Sequence, residues 1–300
     1  MKILITGANG YIGRRLIPVL LEQGHELFCC VRDQARFDWH QRHERLHTLE
    51  VDFLKAESRT ELPRDLDVAF YLIHSMSSII GDFAAPERQS AHRFCELLEP
   101  TLCRQVVYLS GIVNEAALSA HLSSRLAVEQ ILRSGRIPCT VLRAGIVVGS
   151  GSASFEIIRD LVEKLPVMIA PKWLQTRGQP IAIRNVIQFL TGVLLREETF
   201  NRDFDIGGPE VLTYRQMLTQ FADWRGLRRL ILTVPVMTPR LSSYWLYFIT
   251  STSFALAANL VDSMKIDTIP RSNDLAEKLG ITLITYRQAV ALALERIESG

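Results

Sequence analysis

No tract of lysine or arginine runs anywhere in this 300-residue sequence, and its net charge of +2 is close to balance. Nucleic-acid binding therefore has no electrostatic footprint to rest on and is not expected. The five cysteines, Cys29, Cys30, Cys95, Cys103 and Cys139, include no Cys-x-x-Cys pair and no metal-ligand spacing. An odd count without such spacing argues against a disulfide framework and against a metal site. Reduced thiols in a cytoplasmic compartment are the expectation. Cys29 and Cys30 are adjacent in an apolar run, so they should project to opposite faces of one strand as core filler. The chain begins "MKILITG", without the charged and apolar regions of a secretory signal, and no such signal is expected. Only one long stretch lacks charge: Leu241 to Val261, "LSSYWLYFITSTSFALAANLV". Its length would suit a spanning helix. However, six of its positions are Ser or Thr, one is Asn, and Pro235 and Pro239 lie just upstream. Buried or cleft-lining helices are expected rather than a membrane span, with a peripheral membrane contact left open.

What the sequence has in quantity is alternation. "KILIT" is followed by a glycine-rich turn and a helical pattern from Ile12 to Gln23, closed by Gly24. "ELFCCVR", "LHTLEVDF" and "DVAFYLIH" read as three further strands. A helical pattern runs from about Phe83 to Leu98, then come "QVVYLS", a helix around His121 to Ser134, and "CTVLRAG". Strands apolar on both faces and separated by helices imply an α/β chain with a doubly wound parallel Rossmann sheet. Later segments, "PIAIRNVIQFLTGVLL" and "FDIGGPEVLTYRQMLTQFAD", read as a return to the sheet followed by a small lobe.

"TGANGYIG" sets Gly7, Gly10 and Gly13 in a G-x-x-G-x-x-G pattern between the first strand and the first helix. Gly7 permits a tight turn, Gly10 lets the backbone approach a pyrophosphate, and Gly13 allows close helix–sheet packing. The N–H groups at the helix start then face the phosphates. Thr6, Gly7, Gly10, Tyr11, Ile12, Gly13 and Arg14 are the candidates on this side of a dinucleotide. A carboxylate at the tip of the second strand, which would hold an adenosine ribose, is missing; Arg32 of "CCVRD" stands there. A guanidinium binds a 2′-phosphate where a carboxylate would repel it, and Arg14 adds a second cation. The charge argument therefore favours NADP(H), with NAD still open. The alternative is a solvated Arg32 with Asp33 turned inward to the ribose. Asp52 of "VDF" is placed for the adenine amine, with Phe53 beside the ring. On this reading residues 1–228 form a NAD(P)-binding domain, with 151–178 contributing to a substrate lobe, and 229–300 form the rest of that lobe.

These motifs resemble the short-chain dehydrogenase/reductase superfamily in its extended branch, over nearly the whole chain. "TGANGYIG", "VDF" and "VVYLS", which ends at Ser110, match its pattern. "VLRAGIVVG" is similar to its R-P-x-x-x-Y-G stretch, with Ala144 in place of Pro and Val148 in place of Tyr. "FDIGGPEVLTYRQM" and "DLAEKLGITLITYRQAVALAL" resemble its later strand–turn–helix and its C-terminal helix pair. The nearest likeness is to atypical NmrA-like and nucleoside-diphosphate-sugar-epimerase-like members, including the NADPH-binding accessory subunit of respiratory complex I. The resemblance implies that Ile73, His74, Ala144 and Gly145 line the nicotinamide side and that Ser110 binds a substrate carbonyl.

Where the family has Tyr-x-x-x-Lys, this sequence has His121 and Arg125. Arg125 could keep the lysine's hold on the nicotinamide ribose. His121 either transfers the proton or merely packs at a helix start, and a guanidinium one turn away disfavours its charged form. His74, beyond the fourth strand, is the next proton-transfer candidate, or a loop residue bonded to backbone. Tyr71 and Tyr108 read as core. Three functions follow: an NADP(H)-dependent oxidoreductase on a small or apolar carbonyl or quinone-like substrate, a non-catalytic NADP(H)-binding sensor or scaffold, and a nucleotide-sugar epimerase. The last is disfavoured because such enzymes rely on the missing tyrosine.

Overall fold

The computed structural model describes residues 1–37, 39, 43–55, 61–74, 84–113, 120–234 and 264–299. The uncharged stretch from Leu241 to Val261 lies outside the described residues. In chain order the strands are β1 (Lys2–Thr6), β2 (Glu26–Val31), β3 (Leu46–Glu50), β4 (Val68–Tyr71), β5 (Gln105–Gly111), β6 (Cys139–Ala144), β7 (Val147–Val148), β8 (Val167–Pro171), β9 (Arg177–Gly178), β10 (Ile181–Ala182), β11 (Asp203–Ile206), β12 (Leu212–Thr213) and β13 (Leu230–Val234). The described helices of four or more residues outside 3-10 turns are α1 (Tyr11–Glu22), α2 (Ala84–Leu98), α3 (Ala120–Ser134), α4 (Ala153–Lys164), α5 (Ile183–Gly192), α6 (Tyr214–Trp224), α7 (Leu275–Lys278) and α8 (Tyr286–Glu298).

Seven strands form one sheet in the order β3-β2-β1-β4-β5-β6-β11. Every pairing in it is parallel. This is the doubly wound sheet expected from the alternation of strands and helices, extended by one strand. The chain fills one half, β1 to β3, then crosses to β4 and fills the other. The order of strands therefore reverses between β1 and β4, and at their carboxyl ends the crossover connections diverge to leave a crevice.

Alternation along each strand sends neighbours to opposite layers. Ile3, Ile5, Cys29 and Leu142 join one core with Leu16, Leu20 and Leu190 of α1 and α5. Leu4, Cys30, Tyr71 and Tyr108 join the other with Phe94 and Val128 of α2 and α3. The adjacent cysteines thus divide between two layers, and burial pushes the Cys29 thiol up to about 12. Tyr71 and Tyr108 pack edge to face with ring centroids 5.8 Å apart, core residues as expected.

A third core lies beside the sheet. Phe155 of α4, Phe221 of α6 and Tyr286 of α8 belong to it, together with Met168 and Met264. Two of its helices start with reciprocal caps, Thr213 with Gln216 and Thr285 with Gln288, so their first N–H groups are satisfied locally. No described helix is long and apolar enough to cross a membrane.

Candidate functional site

The loop after β1 is shaped by what its glycines lack. Gly7 has φ +66°, and a Cβ on it would stand 2.5 Å from the Leu72 carbonyl oxygen. A Cβ on Gly13 would meet the Gly7 oxygen at 2.6 Å and the Ala8 Cα at 2.8 Å. The first glycine therefore seats the turn against the end of β4, and the third brings α1 down onto the turn. Gly10 donates to the Gly7 carbonyl at 2.9 Å and stands at the start of α1 without a side-chain cap. The N–H groups of Tyr11, Ile12 and Gly13 accordingly open α1 toward the crevice, the arrangement that favours an anion. Thr6 plays a part in the frame. Its buried Oγ1 donates to the Phe70 carbonyl and accepts from the Leu72 N–H, both at 3.1 Å, tying β1 to β4 directly beneath the loop.

Tyr11 leans away from the sheet onto the loop after β7, where a Cβ on Gly149 would stand 2.4 Å from its hydroxyl. Burial raises its pKa to about 12, against the pull of the neighbouring Arg15. Arg15 lies over the Tyr11 ring and donates to the Ser150 carbonyl at 2.6 Å.

At the tip of β2, Arg32 and Asp33 separate. Arg32 is exposed. Asp33 caps the following turn, accepting from the Ala35 N–H at 2.9 Å. Its carboxylate has work to do at this turn, which weakens the alternative in which it turns to a ribose. Arg14 is exposed on the first turn of α1. Asp52 accepts from the Leu54 N–H at 3.0 Å and keeps part of its carboxylate open. The Phe53 ring is buried beside Phe94, so this residue has only its backbone to offer an adenine.

On the other side of the crevice the carboxyl ends of β4, β5 and β6 carry Ile73, His74, Ser110, Ala144 and Gly145. Ser110 pairs in register with Arg143, and Gly111 with Ala144. The Ser110 hydroxyl is buried and meets no hydrogen-bond partner among the described residues. His121 lies on the first turn of α3; its side chain is outside the described part of the structure, so its proposed proton transfer finds no geometry. Arg125, one turn on, is only 9% exposed. Its guanidinium donates to the Leu109 carbonyl at 2.6 Å and lies over the Tyr108 ring. It is thus anchored to β5 rather than standing open, although its buried Nε meets no partner among the described residues.

Two groups of polar and charged residues include members that the sequence did not mark. The first is His74, Glu87, Ser124 and Arg125. Glu87 is 4% exposed on α2; one carboxylate oxygen accepts from the Ser124 hydroxyl and the other lies 3.7 Å from His74 Nδ1. Burial works to raise the Glu87 pKa. The close approach of His74, the hydrogen bond from Ser124 and the Arg125 charge overcome it and hold the group at about 2. His74 is pushed below its ordinary value, first by desolvation and then by Arg125, against the opposing pull of Glu87. The helical spacing of Glu87 with Ser90, Ala91, Phe94 and Leu98, all buried, is the signal that could have marked it: a carboxylate on an inward stripe.

The second group joins β6, β11 and α3. Arg143 grips Glu129 through Nε at 3.0 Å and Nη2 at 2.7 Å, and reaches Asp203 at 2.7 Å. Arg271 binds both oxygens of Asp205 at 3.0 Å. These charges satisfy one another and fasten the segment after residue 264 to the sheet edge. No cluster of His, Cys, Asp or Glu suited to a metal forms among the described residues.

A doubly wound sheet with an uncapped, glycine-cradled helix start at its switch point defines a Rossmann fold. Residues 3–111 match the NAD dependent epimerase/dehydratase family. Over this part of the chain the match agrees with the resemblance to the extended short-chain dehydrogenase/reductase superfamily. Solved structures share the fold over the whole chain. UDP-glucuronic acid 4-epimerase from Bacillus cereus, solved with UDP-glucuronic acid and NAD, is 16% identical with a TM-score of 0.72, covering 100% of this chain and 99% of that one. A nucleoside-diphosphate-sugar epimerase from Staphylococcus aureus is 14% identical with a TM-score of 0.74, over 97% and 99% of the two chains. A short-chain dehydrogenase/reductase superfamily protein from Agrobacterium tumefaciens with bound NAD is 15% identical with a TM-score of 0.72, over 100% and 98%.

Proposed function

We propose that this protein binds NADP(H) in preference to NAD(H) and is an oxidoreductase acting on a small or apolar carbonyl or quinone-like substrate. The observation that carries the reading is the glycine cradle at the switch point. A side chain on Gly7 would run into the Leu72 carbonyl and one on Gly13 into the turn itself, and across the crevice stands a buried serine hydroxyl with no described partner. The residues present fit a dinucleotide. The N–H groups opening α1 would take the pyrophosphate, Arg32 and Arg14 the 2′-phosphate, and Asp52 the adenine amine. The backbone of Ile73 and His74, with Ala144 and Gly145, would border the nicotinamide. A nicotinamide supplies or accepts hydride when bound. Ser110 Oγ would donate to a carbonyl oxygen, polarising it. Anchored on Leu109, Arg125 would hold positive potential at the same end of β5.

A second reading is a non-catalytic NADP(H) binder, favoured by the withdrawal of Arg125 onto β5. Binding and turnover separate the two. Calorimetry with NADPH and NADH should show the phosphorylated cofactor bound more tightly. Stopped-flow mixing of the NADPH complex with aldehydes, ketones and quinones should then show oxidation of the bound cofactor. Tight binding with no oxidation by any of them would favour the binder. Interconversion of a UDP-sugar with NAD bound would favour the epimerase reading, which the solved epimerases keep in view.

A further inference from the structure

One buried carboxylate beside the crevice has no part in holding a dinucleotide. Glu87 lies in the first turn of α2, on the stripe that continues through Ser90, Ala91, Phe94 and Leu98 into the core. An apolar side chain would satisfy that packing, and a buried carboxylate is costly unless paired. Glu87 is paired on both sides, by Ser124 of α3 and by His74. His74 lies three residues past the end of β4 and two beyond Leu72, whose carbonyl abuts Gly7 of the glycine-rich turn. The imidazole is 31% exposed while the carboxylate behind it is buried. A solvent-reachable imidazole backed by a buried carboxylate is therefore set at the crevice end of β4.

We infer that His74 is the acid–base group of this site and Glu87 its positioning residue, a role that rests on the oxidoreductase reading above. With Nδ1 turned to the carboxylate, Nε2 is the nitrogen that exchanges the proton. In the reductive direction the carbonyl carbon takes a hydride from the reduced nicotinamide dinucleotide. The carbonyl π pair moves to oxygen, and that oxygen takes the proton from Nε2. The products are an alcohol, the oxidised dinucleotide and a neutral imidazole, which regains its proton from water. Ser124 holds the second oxygen of Glu87, so the carboxylate cannot swing away. This pair replaces in function the tyrosine that position 121 lacks. Among the described residues, the charged groups that act on the imidazole are Glu87 from α2 and Arg125 from α3, and Tyr71 and Tyr108 of the sheet lie near those two. The carboxylate favours the imidazolium and the guanidinium opposes it.

The test has two arms. Titration of the His74 ring by NMR in the cofactor-free protein should show its midpoint falling by about one unit or more in Glu87→Gln, since a nearby opposite charge is worth that much. Glu87→Asp should recover most of the shift. In single turnover with pre-bound NADPH, His74→Gln should slow cofactor oxidation about 100-fold or more while NADPH affinity stays within about threefold. Glu87→Gln should move the pH profile in the same direction as the NMR midpoint. An unchanged His74 midpoint in Glu87→Gln would overturn the pairing. A parental rate in His74→Gln would overturn the acid–base role, and this arm decides the matter should Glu87→Gln fail to fold. If NADPH binds but no carbonyl or quinone oxidises it, the oxidoreductase reading falls and takes the acid–base role with it, even where the titration reveals the pair.

Discussion

At the scale of single residues, the site is defined by charge. In the proposed cofactor site Arg32 stands where a ribose carboxylate would be, and Asp33 beside it is engaged as a cap. Arg32→Glu is expected to weaken NADPH binding by about 10- to 100-fold, the worth of a charge-assisted hydrogen bond together with the repulsion introduced, and NADH binding little. Calorimetry with both cofactors checks this, and equal losses would remove Arg32 from the site. Glu87 gives a second test, on stability. Its pKa is depressed from 4.5 to about 2 in the folded protein. The stability it contributes is therefore fully present above 4.5 and is lost as pH falls from there toward about 2. Urea denaturation should find Glu87→Gln less stable than the parent at pH 7, with the gap narrowing as pH drops below 4.5. A gap that is constant with pH would mean the carboxylate's charge has no such role. Arg32 was legible from the sequence because it occupies a motif position. Glu87 was not, because its partners come from residues 74, 124 and 125.

The element that decides the cofactor side is the turn from β1 into α1. Its glycines could be read directly, since the pattern G-x-x-G-x-x-G encodes a backbone shape that other residues cannot take up. The structure adds which contact each one permits. Gly13 lets α1 approach the turn, and Gly13→Ala would put a Cβ within 2.6 Å of the Gly7 oxygen. Overpacking of this kind costs about 1–3 kcal/mol. Thermal melts should show a loss of about 2–4 °C for each of those kcal/mol. An unchanged melting temperature would show that α1 can retreat without cost. Helix α3 went the other way. Spacing of four puts residues 121 and 125 on one face, but the direction of Arg125 depends on the Leu109 carbonyl and the Tyr108 ring, which come from β5.

Across the whole molecule, the segment after residue 264 is fastened to the parallel sheet by the charges at the β6–β11 edge. Asp205 is buried and serves Arg271, with Arg143 3.6 Å away. Asp205→Asn leaves these guanidinium groups undercompensated and should lower stability by about 2 kcal/mol, less than for a fully buried pair because the Arg271 side chain is half in solvent. Urea denaturation measures it, and a loss below about 1 kcal/mol would mean that Asp203 and Glu129 suffice. The strand assignments at the β5 to β11 half were readable from apolar runs. The ion network was not, because it assembles residues 129, 143, 203, 205 and 271, which share no local pattern.

By itself the sequence determined the alternation of strands and helices, and hence a doubly wound sheet, because periodicity and glycine spacing are local properties of the chain. It also determined the glycine-rich turn after β1, an arginine rather than a carboxylate at position 32, and His121 and Arg125 in place of a tyrosine and a lysine. Only the tertiary structure decided which polar side chains are buried together. Crossover connections bring the ends of β4 and β5 beside α2 and α3, so that Glu87 meets His74 and Ser124 while Arg125 is drawn onto β5. Those contacts join residues far apart in the chain, and burial strengthens the interactions among their charges.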